Sequence, residues 1–189
     1  MVVISAGAND FTLNYYALPT RRGQFNISEY QDFLQKAFQI YVRDVSQRIV
    51  AGLPQIGCLP IQITAAFKNP NKHKCLGDQN TDAQVYNQKL QNLLTQLQGS
   101  LPGTRLAYVD VYEPLIDMVN NPQKYGFTVT DRGCCGTGLS ESSILYNQIT
   151  PTCVADSQFV FWDSLHPCEA VYQRTAKHLE SKIVSQLSQ

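Results

Sequence analysis

Met1-Val2-Val3-Ile4-Ser5-Ala6-Gly7-Ala8-Asn9-Asp10 is an apolar, β-branched run that ends on small and polar residues. It has the form of a buried parallel strand that delivers polar side chains to the edge of a sheet. Gly and Asn also favour turns, so the last four residues have two readings. They are either a plain turn or a loop in which the Asn9 amide serves as a donor to an oxyanion.

The segments that follow decide for a sheet. Ser28 is expected to open a helix, with Gln31 closing a capping box on it and Tyr30, Phe33, Leu34, Ala37, Phe38, Tyr41, Val42 and Val45 on one core face. Arg48 to Pro54 reads as a second strand, because its apolar run ends in Gly and Pro. Thr81 with Gln84 marks a second capping box, opening a helix buried through Tyr86, Leu90, Leu93, Leu94 and Leu97. Arg105 to Tyr112 alternates as a third strand, and a short helix through Leu115, Ile116 and Val119 breaks at Asn121-Pro122. The order βαβαβα implies a parallel sheet with helices on its faces and right-handed crossovers.

From Gln123 to Gln158 no periodicity survives and three cysteines cluster, so this stretch reads as a long stapled or functional loop. Phe159 to Trp162 is a brief last strand. Pro167 is placed at the first position of a final helix running to Leu187, with Tyr172, Ala176, Leu179, Ile183 and Leu187 inward.

The 189 residues fit one domain, 1–189, and 43% hydrophobic content suffices for a core. A formal charge of +0 gives no electrostatic case for nucleic acid or anionic membranes. No apolar run approaches the roughly 20 residues of a membrane helix, and the start lacks the form of a signal peptide. Six cysteines, Cys58, Cys75, Cys134, Cys135, Cys153 and Cys168, contain no C-x2-C pair, which argues against zinc and for an oxidised, secreted protein. No metal or cofactor is expected. The sequon Asn26-Ile27-Ser28 points the same way as the cysteines. Proximity favours Cys58 with Cys75, and Cys153 with Cys134 or Cys135.

Phe161-Trp162-Asp163-Ser164-Leu165-His166-Pro167 carries the chemistry. A serine hydrolase needs a histidine to take the proton and a carboxylate to hold that histidine, and one short loop here supplies both. The bland alternative makes His166 a helix-start residue and Asp163 its cap. No G-x-S-x-G and no Gly-Asp-Ser occurs in the chain, and neither Ser5 nor Ser164 sits on a nucleophile elbow. Asp110 and Glu113 at a strand end are expected to cap the next helix, and His73 and His178 to be solvated.

Taken together, Gly7 to Asp10 after a strand, Asp163 to Pro167 before the last helix, Gly52-Leu53-Pro54-Gln55-Ile56-Gly57-Cys58-Leu59-Pro60, and Gly133-Cys134-Cys135-Gly136-Thr137-Gly138 resemble the GDSL esterase/lipase family. This is a branch of the SGNH hydrolases, and the likeness is greatest to its plant members. The resemblance implies a flavodoxin-like three-layer α/β/α sandwich with a parallel sheet, truncated at the N-terminus, with about strands three to five retained. It implies ester hydrolysis by Ser-His-Asp chemistry on small ester or lipid substrates, with Asp163 as acid, His166 as base and Asn9 as oxyanion donor. The family's serine-bearing block precedes the region that matches, so the chain is expected to be a C-terminal portion of a secreted enzyme. A catalytically inactive binding module is the alternative. In the sheet so truncated Met1 to Ala6 would be an unpaired edge strand, and self-association of the truncated chain is expected. Cys168 replaces the threonine that is common in relatives beside the active-site loop.

Overall fold

The computed structural model describes residues 2–42, 47–66, 74–142 and 145–187. His73 and Val45 lie outside them. The chain divides into two compact units: residues 1–54, 81–112 and 179–189 form one, and residues 55–80 and 113–178 the other.

The first unit is built on three parallel strands, β1 (Val2–Ser5), β2 (Gln47–Ala51) and β3 (Arg105–Val109), in the order β1-β2-β3. Ile4 lies opposite Val50, and Val50 opposite Tyr108. Because side chains alternate across a strand, Ile49 and Ala51 share one face with Ala107 and Val109. There they pack with Leu179 and Ile183 of α6 (Glu169–Leu187). The opposite face meets α4 (Gly77–Ser100), where Tyr86, Leu90, Leu94 and Leu97 are buried and Gln91 hydrogen-bonds Tyr108. Asn87 of α4 also clamps Leu53, its Oδ1 accepting from Leu53 N at 2.6 Å and its Nδ2 donating to Leu53 O at 2.9 Å. A Cβ on Gly52 would meet the ends of the Tyr108 and Asn87 side chains, which would have to shift. The α/β class and the parallel sheet with helices on both faces are as the sequence implies.

Three expectations about this unit are corrected. The cap of α2 (Ile27–Val42) is Asn26, not Ser28: Asn26 Oδ1 accepts from Glu29 N at 3.0 Å, and Glu29 Oε2 accepts from Asn26 N at 2.9 Å. This is a capping box two residues earlier, and Gln31 is instead buried, donating to Asp82 O at 3.0 Å. The face of α2 is only partly core, since Tyr30 is 1% exposed but Phe33 is 42% and Tyr41 66% exposed. Finally, α4 begins at Gly77, one turn before Thr81. Asn80 holds that extra turn, its Oδ1 accepting from Gly57 N at 2.9 Å.

The second unit contains α3 (Pro60–Ala66), most of α5 (Tyr112–Asn120), and a parallel pair of strands, β4 (Val129–Gly133) and β5 (Phe159–Phe161). Asp110 Oδ1 accepts from Tyr112 N at 2.8 Å, the capping role expected of it. β4 lies inside the stretch read as patternless. Val-Thr-Asp-Arg-Gly has no alternation, and its first three residues are half-buried, so no period reveals it. Two disulfides staple this unit, Cys58–Cys75 and Cys134–Cys153, both as expected, while Cys135 and Cys168 are buried free thiols. Pro167 does not start α6. It forms a bridge with Phe161, and the helix begins two residues later at Glu169. The inward stripe of α6 holds at Leu179 and Ile183 but not in its first turns, where Val171 and Thr175 are buried, Tyr172 is 53% exposed and Ala176 is also exposed, and the Leu187 side chain lies outside those described.

Candidate active site

The end of β5 turns into the loop Trp162–His166, and the loop closes on itself. Trp162 N donates to His166 O at 2.8 Å. Inside the turn, Asp163 Oδ1 accepts from Leu165 N at 2.7 Å and from His166 N at 2.6 Å. Asp163 Oδ2 faces His166 Nδ1 at 2.8 Å. The carboxylate is 0% exposed, whereas the His166 side chain is 55% exposed. A buried carboxylate needs its oxygens bonded, and here two backbone N–H groups and one imidazole supply the bonds. An ionised carboxylate only accepts, so the ring nitrogen facing it carries the hydrogen, which leaves Nε2 as the basic nitrogen of the half-exposed ring. Asp163 does not cap α6, which starts six residues later.

The backbone beneath this turn is held by the glycine-rich segment that follows β4. A Cβ on Gly133 would lie 2.7 Å from both Cα and C of Asp163, so only glycine lets the two chains approach this closely. Cys134 N donates to Phe161 O at 3.1 Å and Cys135 N to Trp162 O at 2.8 Å, continuing the β4–β5 pairing up to the loop. Gly138, at φ +74°, folds back so that Gly133 N donates to Gly138 O at 2.8 Å. Ser164 is pinned on both sides, its N donating to Glu141 O at 2.9 Å and its O accepting from Ile61 N at 3.1 Å. Its hydroxyl is buried without a partner among the described residues, an unsuitable place for a nucleophile. Sequence reasoning treated Gly133–Gly138 as a landmark only. Its position as the floor under Asp163 had no local signal, because it depends on pairing between strands 26 residues or more apart.

Cys168 follows the loop, buried, with its N donating to Val160 O at 2.9 Å. Burial first, then the charges of Asp156 and Asp163, push its thiol up to about 11, so it is not a thiolate at neutral pH. His178, expected to be solvated, is half-buried and lines a cavity of about 500 Å³ with Glu113, Asp117 and Lys124.

Asn9 belongs to the first unit. Gly7 at φ +104° turns the chain out of β1, and residues 8 and 9 already lie on helical backbone leading into the π-helical segment Asp10–Ala17. The turn is seated on an aromatic cluster, with Phe11 edge-on to Tyr86 at 5.2 Å and to Tyr30 at 5.8 Å. Burial, then the charge of Asp10, pushes the Tyr86 hydroxyl up to about 12. The Asn9 side chain is exposed and caps nothing.

The fold and this loop together define an α/β protein that presents a buried carboxylate to a half-exposed imidazole. The chain belongs to the GDSL-like lipase/acylhydrolase family, whose profile matches residues 1–179. Three GDSL esterase/lipases of Arabidopsis thaliana are among the proteins it is similar to. One is 50% identical over 97% of this chain and 52% of its own length. A second is 51% identical over 90% of this chain and 49% of its own length, and a third 48% identical over 96% and 52%. The chain thus spans about half the length of the curated relatives it matches.

Proposed function

We propose that this chain carries the acid–base part of a GDSL-type ester hydrolase. His166 Nε2 takes the proton from a serine hydroxyl as that oxygen attacks the ester carbonyl, then returns it to the leaving alcohol. Asp163 holds the ring with Nδ1 protonated and offsets the charge of the imidazolium, and Asn9 donates its amide N–H to the oxyanion. Small carboxylic esters or lipid acyl esters are the substrate class. The observation that carries this reading is the buried Asp163, locked by two backbone N–H groups and aimed at His166 Nδ1 at 2.8 Å.

No G-x-S-x-G and no Gly-Asp-Ser occurs in the 189 residues, and this favours a second reading as a binding module without turnover. Purified chain incubated with short-chain p-nitrophenyl esters tests whether a nucleophile lies within it. The acid–base reading expects no hydrolysis above a His166→Ala control. Turnover that needs His166 and is blocked by a fluorophosphonate would show a nucleophile within this chain and overturn that expectation.

Secretion fits the two disulfides, and Asn26 is exposed with its Oδ1 used as the helix cap, leaving Nδ2 as the atom a glycan would take. Self-association fits the first unit. β1 pairs with β2 and, among the described residues, with no other strand, and Val3 is 64% exposed. Beside it a groove of about 560 Å³ is lined by Val2, Phe33, Leu34, Phe38 and Tyr41. An apolar strand edge of this kind recruits further strands. Light scattering is expected to show oligomers, and a monodisperse monomer with a cooperative melt contradicts this.

A further inference from the structure

Glu141 stands apart from the residues already given a role. Its carboxylate gathers four donors from one turn: Thr137 N at 2.8 Å, Thr137 Oγ1 at 2.9 Å, Leu139 N at 3.2 Å and Ser140 N at 3.3 Å. Its side chain fills the space beside Gly136, where a Cβ would come within 2.7 Å of it, and Gly136 sits at φ +66°. Glu141 is therefore the hub of the turn: without it Thr137 N and Ser140 N lose their acceptor and Leu139 N keeps only Thr137 Oγ1 at 3.4 Å. Burial opposes the charge, but these hydrogen bonds prevail and hold the carboxyl down at about 2, so it is ionised at any physiological pH.

Two paths lead from this hub to Asp163. Through the main chain, Glu141 O accepts from Ser164 N at 2.9 Å, fixing the residue next to Asp163. Through the turn, Glu141 sets Thr137 and Leu139 on either side of Gly138, whose carbonyl accepts from Gly133 N at 2.8 Å. Gly133 is the residue on which the Asp163 backbone rests. The geometry points to Glu141 as a positioning residue of the hydrolase site, one that touches neither substrate nor imidazole and acts by fixing Asp163 so that its Oδ2 meets His166 Nδ1.

This inference rests on the acid–base reading of Asp163 and His166, and one experiment separates the two. Long-range ¹H–¹⁵N correlation on the full 189-residue chain reads which ring nitrogen of neutral His166 carries the hydrogen. Wild type is expected to be almost wholly the Nδ1–H form, and Asp163→Asn gives the value for an unheld ring. In Glu141→Ala the ring is expected to move at least halfway to that value. Glu141→Gln, which keeps one acceptor oxygen, should fall between Glu141→Ala and wild type. Retained disulfides and unchanged amide resonances of Ile49 and Val109 show that the fold survives. A Glu141→Ala ring identical to wild type overturns the positioning role. If Glu141→Ala does not fold, Thr137→Val, which removes one donor to the carboxylate, is expected to shift the ring in the same direction, and an unmoved ring overturns the role. A wild-type ring that Asp163→Asn leaves unchanged overturns the acid–base reading itself, and the inference with it.

Discussion

In a Gly133→Ala variant the new methyl carbon would sit 2.7 Å from Cα and C of Asp163 and 2.8 Å from its O. Non-bonded carbons rest at about 3.5–4.0 Å, so one backbone must retreat by about 1 Å. All the nearest atoms are main chain, so no side-chain rotation relieves the clash. Cys134 N and Cys135 N tie the segment after β4 to Phe161 and Trp162, so the strain falls on Asp163, between Trp162 and the pinned Ser164. The Asp163–His166 contact starts at 2.8 Å, and an added shift of about 1 Å takes it beyond the range of a hydrogen bond. Overpacking of this kind costs about 1–3 kcal/mol, equivalent to a loss of about 1 M in the urea midpoint. Urea unfolding gives the cost, and the His166 ring nitrogens report the broken contact. Gly99→Ala is the control, since nothing lies within 4 Å of its added methyl. A Gly133→Ala chain with an unchanged midpoint and an intact Nδ1 hydrogen bond would refute the view that β4 and the glycine turn form the floor of the site.

Replacing Cys58 and Cys75 together by serine opens a loop with a sequence separation of 17, and the Cys134–Cys153 pair one of 19. Loops of this size correspond to about 3 kcal/mol each, measurable as a fall in unfolding free energy, and a loss under about 1 kcal/mol would show that the bridges add little to the native fold.

The parts of the molecule that sequence made legible are those fixed by local periodicity. Val2–Ser5, Gln47–Ala51 and Arg105–Val109 announce themselves through short apolar or alternating runs. Proximity along the chain pairs Cys58 with Cys75 and leaves Cys153 to either Cys134 or Cys135, of which Cys134 forms the bond. Asp163 and His166 were legible because one loop carries both. The errors share a physical cause, which is that a distant partner overrode a local preference. Ser28 and Gln31 satisfy the capping-box pattern, yet Gln31 is taken up by Asp82 and the neighbouring Asn26–Glu29 pair serves the helix. Thr81 is a good cap, yet Asn80 bonded to Gly57 carries the helix one turn further back. Pro167 suits a helix start, yet it is drawn into a bridge with Phe161. β4 is recognisable only once β5 lies beside it, and with it goes the role of Gly133 and Glu141.

A chimera in which a half-identical Arabidopsis relative supplies the part of its length that this chain does not cover tests the central claim most directly. With p-nitrophenyl butyrate, the chimera is expected to turn over. His166→Ala is expected to lower kcat by roughly 10⁴ to 10⁶ and Asp163→Asn by about 10⁴, with substrate binding little changed. A chimera whose turnover survives His166→Ala or Asp163→Asn would show that the buried carboxylate and its imidazole are not the acid and base of the reaction.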